Sequence, residues 1–441
     1  MPLLFGTDGI RGVANQDLTP LTAFRLGRAV GDRLDPEHGG VLIGQDTRRS
    51  GDMFVAAAAA GVAAAGSDAI FIGVVTTPCL AHATAETGRP GIMVSASHNP
   101  APDNGLKVLV GGRKPPIAVE DELEVLMARV ESLPGPGNDR IGTLRHDLAP
   151  IERYLETLCR LAGDAFTGLR VAIDCANGSA SRTAPVLYRS LGAEVTVHAA
   201  EPDGTNINRR CGATHPEALQ RVVVESGAEV GLAFDGDADR LIAVDERGGL
   251  VDGDGVMGIC ALDRLSRDEL RNRVLVATVM SNGGLDRAVE AAGGRVVRTG
   301  VGDREVADEM ERSGAVLGGE QSGHVIFSDL STTGDGMLTA IELVKAIRAA
   351  GEPLSVLAWR IPSLPQVVLN SAALHKDRWQ HDPAVSGAVA SAEARLKGRG
   401  RVLVRPSGTE PKLRVMVEGD DEREIGEIAR QLVDLAEARL N

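Results

Sequence analysis

Three aspartates spaced two residues apart are the clearest candidates for chemistry in this chain. Asp235, Asp237 and Asp239 belong to the segment DGDADR (235–240), which follows the apolar stretch EVGLAF. Carboxylate oxygens are the ligands that Mg²⁺ and Ca²⁺ prefer. Because three adjacent carboxylates repel one another unless a cation joins them, the segment predicts a divalent metal site with these aspartates as ligands. A solvated acidic turn is the simpler alternative.

A calcium-binding helix-loop-helix is the rival interpretation of the same segment. Glu246 falls at the twelfth position of such a loop, where a glutamate is usual. However, Arg240 occupies the sixth position, where a glycine makes the sharp turn, and the flanking residues are typical of strands. We therefore expect a metal loop between strands. A non-catalytic calcium-binding protein is the alternative function from another class.

A serine lies in the polar segment SASHNPAPDNGLK (95–107), directly after an apolar strand. Acyl transfer by Ser97 would require a G-x-S-x-G turn or a base held against the hydroxyl. His98 is the next residue and would point to the opposite side in extended structure, so we expect no Ser-His dyad. A serine close to a metal ion and to positive charges suits phosphoryl transfer, in which stabilisation is mostly electrostatic. A polar turn without chemistry is the alternative.

Three other glycine-containing segments carry groups that suit an anionic or hydroxylated ligand. RPSGTEPKLR (405–414) combines cations and hydroxyls as a phosphate or carboxylate clamp does, or it is a structural hairpin. GEQSGH (319–324) supplies acceptors and donors for sugar hydroxyls. GTDGIRG (6–12) lacks the spacing of nucleotide-binding motifs, and its Arg11 is aimed either at an anion or at solvent.

The composition excludes several classes of function. The chain has 441 residues and a net charge of −14, with only seven Phe, two Tyr and two Trp. Such a chain is a poor binder of nucleic acid or of anionic membranes. Five scattered cysteines and no leader-like N-terminus predict a cytoplasmic protein. Only six residues are lysine, and because Lys107 and Lys412 lie in two candidate anion segments, we expect a locally basic site inside an acidic shell.

The elements that position these segments alternate between apolar strands and amphipathic helices. Thr19-Pro20 predicts the start of a helix that continues to Leu34. Continuous apolar strands predict mostly parallel sheets that are buried on both faces. We expect three similar mixed α/β domains and a small C-terminal α+β domain, with the active site where the four meet. The predicted limits are 1–150, 151–252, 253–363 and 364–441, with the serine, metal, sugar and phosphate segments in that order.

Taken together, these segments resemble those of the α-D-phosphohexomutase family along the whole chain. The likeness rests on FGTDGIRG, SASHNP, DGDADR, GEQSGH and RPSGTEPKLRVMVEG, with shorter matches such as QDTRRSG (45–51), GTNIN (204–208) and VGDR (301–304). Gln321 in the sugar segment, CGATHPE (211–217) and TTGDG (332–336) resemble the branch that acts on glucosamine phosphates. The branch of the phosphomannomutases and phosphoglucomutases is the alternative.

The resemblance implies a reaction and a role for each segment. Ser97 would carry a phosphoryl group, pass it to glucosamine 6-phosphate and recover it from bound glucosamine 1,6-bisphosphate, leaving glucosamine 1-phosphate for UDP-N-acetylglucosamine and cell-wall synthesis. One Mg²⁺ would be held by Ser97 and the three aspartates. The implied catalytic residues are Ser97, Arg11, Lys107 and His98, and the implied substrate-binding residues are Arg240, Glu320, Ser322, His324, Arg405, Ser407, Gly408, Thr409 and Arg414. The implied partners are the sugar phosphate and a kinase or other donor that phosphorylates Ser97, in a monomer or a homodimer without nucleic acid or membrane.

Overall fold

The computed structural model describes residues 5–6, 8–406 and 411–441. Its described strands form four sheets, of six, five, four and three strands in chain order. We call each sheet with its helices a block and number the blocks first to fourth. Three mixed α/β blocks followed by a small α+β block confirm the predicted fold class. The exact domain limits stay predictions.

The first block contains the serine segment. Its elements are β1 (Ile10–Val13), α1 (Pro20–Leu34), β2 (Val41–Gln45), α2 (Gly51–Ala64), β3 (Ala69–Val74), α3 (Thr77–Thr87), β4 (Gly91–Val94), β5 (Asp103–Leu109), α4 (Ile117–Met127) and β6 (Leu144–His146). The strand order is β1-β5-β4-β2-β3-β6. As predicted, α1 starts after Thr19, whose side chain accepts a hydrogen bond from the backbone N–H of Thr22 and so caps the helix.

The second and third blocks contain the metal and sugar segments. The second consists of α5 (Ala149–Ala162), β7 (Arg170–Asp174), α6 (Ala184–Ser190), β8 (Glu194–His198), α7 (Glu217–Ser226), β9 (Val230–Phe234), β10 (Leu241–Asp245) and β11 (Leu250–Val251). The third consists of α8 (Gly253–Ser266), β12 (Val274–Thr278), α9 (Gly283–Ala291), β13 (Arg295–Thr299), α10 (Asp303–Ser313), β14 (Leu317–Gly319), β15 (Val325–Phe327), α11 (Gly336–Ala350) and α12 (Leu354–Trp359). Their strand orders are β11-β10-β9-β7-β8 and β13-β12-β14-β15.

The fourth block is a three-stranded antiparallel sheet covered by two helices. Its elements are β16 (Gln366–Ala372), α13 (Pro383–Leu396), β17 (Gly400–Pro406), β18 (Lys412–Gly419) and α14 (Glu422–Leu440), and its strand order is β16-β18-β17. The phosphate segment lies between β17 and β18. No described helix of the chain is both long enough and apolar enough to span a lipid bilayer.

The first three sheets are more mixed than the expected parallel layers, and the reason bears on the site. Each of the four candidate segments connects two adjacent antiparallel strands: β4 and β5, β9 and β10, β14 and β15, and β17 and β18. An antiparallel return fixes both ends of a short loop, whereas a parallel connection must leave the sheet edge and cross over. The antiparallel pairs therefore place the serine, metal and sugar loops at the ends of buried strands.

One apolar core runs through the first three blocks, and the fourth block has a separate core. The shared core includes Ile72 and Leu80 of the first block, Phe234 of the second and Leu317 of the third. The core of the fourth block contains only residues between 373 and 440. The serine, metal and sugar segments are thus carried by a continuous body, to which the fourth block is attached.

Candidate active site

Ser97 lies at the end of β4 in a strained turn, with its side chain against the metal segment. Its backbone φ is +52°, in the left-handed region that non-glycine residues seldom adopt. The residue is buried, and Oγ donates a hydrogen bond to Asp235 Oδ2 at 2.6 Å. The turn also brings His98 Nδ1 to 3.3 Å from Oγ. The expectation that His98 points away was wrong, because it assumed extended backbone.

The three aspartates of the metal segment form a compact buried cluster. One carboxylate oxygen of each of Asp235, Asp237 and Asp239 lies within 4.8 Å of the others. Ala238, with a φ of +55°, turns the chain between them. Buried Oδ1 atoms of Asp237 and Asp239 have no hydrogen-bond partner among the described residues. Two unpartnered buried carboxylate oxygens in such a cluster fit a divalent cation.

The helix-loop-helix interpretation of this segment is wrong. The loop connects β9 to β10, which pair with each other in antiparallel register. A helix-loop-helix site needs a helix on each side, and Glu246 lies beyond β10, where its carboxylate accepts hydrogen bonds from the hydroxyl and the N–H of Ser355. The loop therefore belongs to a strand hairpin.

A fourth carboxylate, that of Asp8, and two lysines lie beside this cluster on the side of the first block. Lys107 Nζ lies 2.9 Å from Asp237 Oδ2 and 3.1 Å from a carboxylate oxygen of Asp8, and Lys114 Nζ lies 2.7 Å from the other oxygen of Asp8. Thr77 donates to Asp237 Oδ2 at 2.6 Å. Sequence reasoning missed Asp8, Thr77 and Lys114, although the scarcity of lysine was a signal that could have found Lys114.

Burial and the charges around Ser97 shift the pKa values of Asp235 and Asp239 in opposite directions. Burial raises the pKa of Asp235 well above its usual range, and the neighbouring Asp239 and Asp237 raise it further. Burial also favours a higher pKa for Asp239, but the hydrogen bond and charge of His324 outweigh it and lower that pKa. The residues around Ser97 thus alternate carboxylates with cations.

Lys107 and His98 respond differently to the same surroundings. Burial acts to lower the pKa of Lys107, but Asp237 and Asp8 outweigh it, so the pKa lies above its usual value and the lysine is cationic. Burial lowers the pKa of His98 to about 4, helped by the charge of Arg240, so its imidazole is neutral at pH 7. Ser97 is therefore flanked by a neutral imidazole. The metal segment is flanked by the permanent positive charge of Lys107.

Arg11 lies on β1 beside the serine loop. It pairs with Asp8, and its Nη1 is 3.4 Å from Asn99 Oδ1. Its Nε is buried without a hydrogen-bond partner in the described residues. An arginine with an unused donor next to Ser97 is well placed to contact an anion.

The sugar segment is joined directly to the metal segment. Leu241 N donates to the carbonyl of Gly323 at 2.9 Å, and Arg240 and His324 form an isolated antiparallel bridge. His324 Nδ1 lies 3.5 Å from Asp239 Oδ2. Two predicted ligands of the sugar, Glu320 and Ser322, lie in the same loop. Glu320 is half-buried and accepts from Gly302 N at 3.1 Å, whereas Ser322 is exposed.

The phosphate segment presents two arginines side by side. Arg405 of β17 and Arg414 of β18 are directly opposite in the antiparallel register, and Arg414 is exposed. Like charges placed opposite each other destabilise a sheet unless an anion lies between them. In the described part of the chain, no hydrogen bond or ion pair connects either arginine to the Ser97 centre. Ser407, Gly408 and Thr409 lie outside the described residues.

The structure therefore brings most predicted residues into one place. The serine, metal and sugar segments meet, and Ser97, His98, Arg11, Lys107, Arg240, His324 and the three aspartates contact one another directly or through one intermediate residue. The described arginines of the phosphate segment form a separate group on the fourth block. We call the first group the Ser97 centre and the second the candidate clamp.

Comparison with known families gives four matches along the chain. The chain matches the phosphoglucomutase/phosphomannomutase family in four successive parts: alpha/beta/alpha domain I over residues 2–133, domain II over 152–249, domain III over 252–363 and the C-terminal domain over 368–435. The matches follow the order of the four sheets.

Individual relatives extend over the whole chain. It is 51% identical to the phosphoglucosamine mutase of Symbiobacterium thermophilum, with 100% of each chain covered, and 50% identical to that of Moorella thermoacetica, with 99% of each covered. Among solved structures, a phosphoglucomutase/phosphomannomutase family protein from Burkholderia thailandensis has a TM-score of 0.80 and 27% identity, covering 99% of this chain and 98% of that one. The chain therefore belongs to the phosphoglucomutase/phosphomannomutase family and, within it, to the phosphoglucosamine mutases.

Proposed function

We propose that this chain interconverts glucosamine 6-phosphate and glucosamine 1-phosphate by means of a phosphoryl group carried on Ser97. The observation that supports this most directly is the position of Ser97 Oγ, 2.6 Å from Asp235 in a buried cluster of three carboxylates. Sequence identity of 45–51% to phosphoglucosamine mutases over the full length supports the amino sugar as substrate.

The proposed reaction has two phosphoryl transfers. In the first, the bond from Ser97 Oγ to phosphorus breaks as O1 of glucosamine 6-phosphate bonds to phosphorus, and the O1 proton goes to Oγ. The resulting glucosamine 1,6-bisphosphate turns around within the site. In the second, the bond from O6 to phosphorus breaks as Oγ bonds to that phosphorus, and the Oγ proton goes to O6. Glucosamine 1-phosphate leaves, and the phosphoserine is restored.

We propose the following roles for the residues of the centre. Asp235, Asp237 and Asp239, together with Ser97, would hold one Mg²⁺, which when bound neutralises charge on the phosphoryl oxygens. Lys107 and Arg11 stabilise the negative charge of the transferring group, since both are cations beside the cluster. His98, which is neutral and 3.3 Å from Oγ, exchanges a hydrogen bond with the serine hydroxyl.

The remaining predicted residues hold the parts of the substrate that do not react. Glu320, Ser322, His324 and Arg240 would contact sugar hydroxyls and the nearby phosphate. Arg405 and Arg414, together with Ser407, Gly408 and Thr409, would bind the distal phosphate.

We further propose the domain limits 1–150, 151–252, 253–363 and 364–441, a cytoplasmic location, and activation of Ser97 by glucosamine 1,6-bisphosphate or by a kinase.

The test is a substrate panel combined with mass spectrometry of the purified enzyme. With Mg²⁺ and glucosamine 1,6-bisphosphate, the wild type should convert glucosamine 6-phosphate faster than the glucose or mannose phosphates and carry a phosphate on the peptide containing Ser97. Ser97→Ala should abolish both, whereas Ser226→Ala, at the end of α7, should change neither. An active Ser97→Ala variant would overturn the proposal, and a preference for glucose or mannose phosphates would overturn the substrate.

A further inference from the structure

Arg48 is a completely buried arginine beneath the serine loop, which we define as residues 95–102 between β4 and β5. It belongs to the segment QDTRRSG, to which the proposed reaction assigns no role. Its guanidinium donates to four main-chain carbonyls of the loop and its end. Nη2 donates to Ser97 O at 2.9 Å and to Asn99 O at 2.8 Å, and Nη1 donates to Pro100 O at 2.5 Å and to Asp103 O at 2.9 Å.

The fifth guanidinium N–H of Arg48 is used as well. Nε donates to Asp46 Oδ2 at 2.9 Å, and the same carboxylate oxygen accepts from Ser95 Oγ at 2.7 Å. All five N–H groups of one side chain thus have acceptors, and the positive charge is paired within the protein interior. Lysine has three donors on a single nitrogen and cannot reproduce this planar set.

A residue of the second block holds the same loop from another side. Asn208 Nδ2 donates to Ser97 O at 2.8 Å and to Asn99 O at 3.0 Å, so each of these carbonyls accepts from both Asn208 and Arg48. Asn208 belongs to the GTNIN segment and is itself in the left-handed region, with a φ of +56°. The loop that carries the serine is therefore fixed by two blocks at once.

These contacts determine the orientation of the peptide between Ser97 and His98. Because a trans peptide is planar, its N–H points opposite to its C=O. With the Ser97 carbonyl held by two donors, the N–H of His98 points away from Arg48 and Asn208. This N–H has no hydrogen-bond acceptor in the described residues. The same contacts oppose relaxation of the strained Ser97 backbone, which a free turn would favour.

We propose that Arg48 and Asn208 are positioning residues for the phosphoryl group on Ser97, acting through the loop carbonyls. They keep Ser97 in the left-handed conformation that directs Oγ toward Asp235, and they leave the His98 N–H as a donor to the phosphoryl oxygens. Neither side chain touches the substrate. This inference rests on the proposed role of Ser97 as the phosphoryl carrier.

The experiment compares two matched pairs of variants in the full-length enzyme. Arg48→Lys is paired with Arg28→Lys, since Arg28 is also buried in the first block and donates to two carbonyls and a carboxylate, but far from the serine loop. Asn208→Asp is paired with Asn272→Asp, since Asn272 also has a φ of +56° and donates to a carbonyl, that of Ser313.

The measurements are the melting temperature, kcat and KM for glucosamine 6-phosphate, and the ³¹P resonance of the phosphoserine. Arg48→Lys should lower kcat about 100-fold, a size typical of a misplaced reacting group, with KM changed less than about twofold. Asn208→Asp should lower kcat about tenfold, because it turns two donors into a carboxylate that repels the carbonyls. Both should move the ³¹P resonance, and the control variants should lose stability without either change.

The outcomes separate this inference from the function on which it rests. If the wild type and controls are active and Asn208→Asp or a folded Arg48→Lys keeps the wild-type kcat and ³¹P resonance, the positioning role is overturned and the proposed function stands. If Arg48→Lys does not fold, Asn208→Asp alone decides. A wild type that has neither mutase activity nor phosphoserine overturns the proposed function and this inference with it.

Discussion

The body formed by the first three blocks and the small fourth block are held together in different ways. Within the body, apolar residues of all three blocks share one core. The metal loop contacts both the serine loop and the sugar loop. The fourth block has its own core and is joined to the body mainly through polar groups. A close-packed shared core holds the three blocks in fixed relative positions. A small polar interface between domains permits relative movement at a lower cost in free energy.

The joint is a small set of hydrogen bonds around the loop after β12. Glu418 of the fourth block accepts from Gly283 N at 2.8 Å, at the start of α9, and Arg401 donates to Val279 O at 2.8 Å. Asn282 exchanges two hydrogen bonds of 2.9 Å with the backbone of Leu364, where the chain enters the fourth block. The candidate clamp therefore sits on a block that these polar contacts join to the body.

The two regions also carry charge in different ways. In the body, Lys107 and Asp237 beside Ser97 are buried and paired with each other. The described arginines of the clamp, Arg405 and Arg414, face each other near the surface without a described acid between them. We therefore expect the body to act on the reacting phosphate and the clamp to bind the phosphate that does not react.

The largest effect should come from the centre of the body. Asp237→Asn removes the charge that balances Lys107 and one of the three candidate metal ligands. We expect kcat to fall about 1000-fold with little change in KM for the sugar phosphate, because the lost charge acts on the reacting group. Steady-state kinetics with Mg²⁺ test this, with Asp245→Asn, at the end of β10 in the same sheet, as the control. A variant with near-normal kcat would contradict the assignment.

The clamp should show the opposite kinetic pattern. Arg414→Ala removes one of the paired guanidinium groups, and hydrogen bonds to charged groups contribute about 1.5–3 kcal/mol. We expect KM for glucosamine 6-phosphate to rise about 10- to 100-fold, with kcat much less affected. Arg423→Ala, exposed on α14, is the control. If Arg414→Ala lowered kcat and left KM unchanged, the assignment of phosphate binding to the fourth block and of the reaction to the body would be wrong.

The same contrast explains what could be predicted from the sequence. Short-range patterns were sufficient for α1, whose cap is Thr19, and for the aspartate cluster, whose members lie within five residues. The contact between Ser97 and His98 was not predictable, because it depends on a left-handed φ that neighbouring residue types do not require. Long-range partners such as Asp8 and Thr77 were missed, since only the packing of different blocks brings them to the cluster.

A smaller effect is expected at the joint. Glu418→Gln leaves Arg401 without its carboxylate, and breaking a buried ion pair costs about 3–5 kcal/mol. We expect the fourth block to unfold at a lower temperature than the body, and kcat/KM to fall only about fivefold because the centre is untouched. Calorimetry and kinetics test both statements. Glu424→Gln, whose ion pairs lie within the fourth block, should not separate the transitions, and a single unshifted transition in Glu418→Gln would contradict the role of this polar joint.

The pH dependence of the body's stability should reflect a buried acid on its side of the joint. Asp254, in the first turn of α8, accepts from the N–H of Asn282 at 2.7 Å. Burial, followed by the charge of Asp252, raises the pKa of Asp254 to about 7. An unfolded aspartate titrates near pH 4, so the folded protein binds this proton more tightly between about pH 4 and pH 7. Its contribution to stability is therefore complete below pH 4 and is lost as the pH rises through 7.

Asp254→Asn keeps an oxygen that can accept from Asn282 but cannot ionise. Between pH 4 and pH 7, the free energy of unfolding of the wild type should fall relative to the variant by up to about 1.4 kcal/mol per pH unit. Denaturant unfolding at several pH values measures this difference, with Asp121→Asn, exposed on α4, as the control. A difference that stays constant over this range would mean that Asp254 is ionised throughout, and that the body meets the joint with a buried charge rather than a neutral acid.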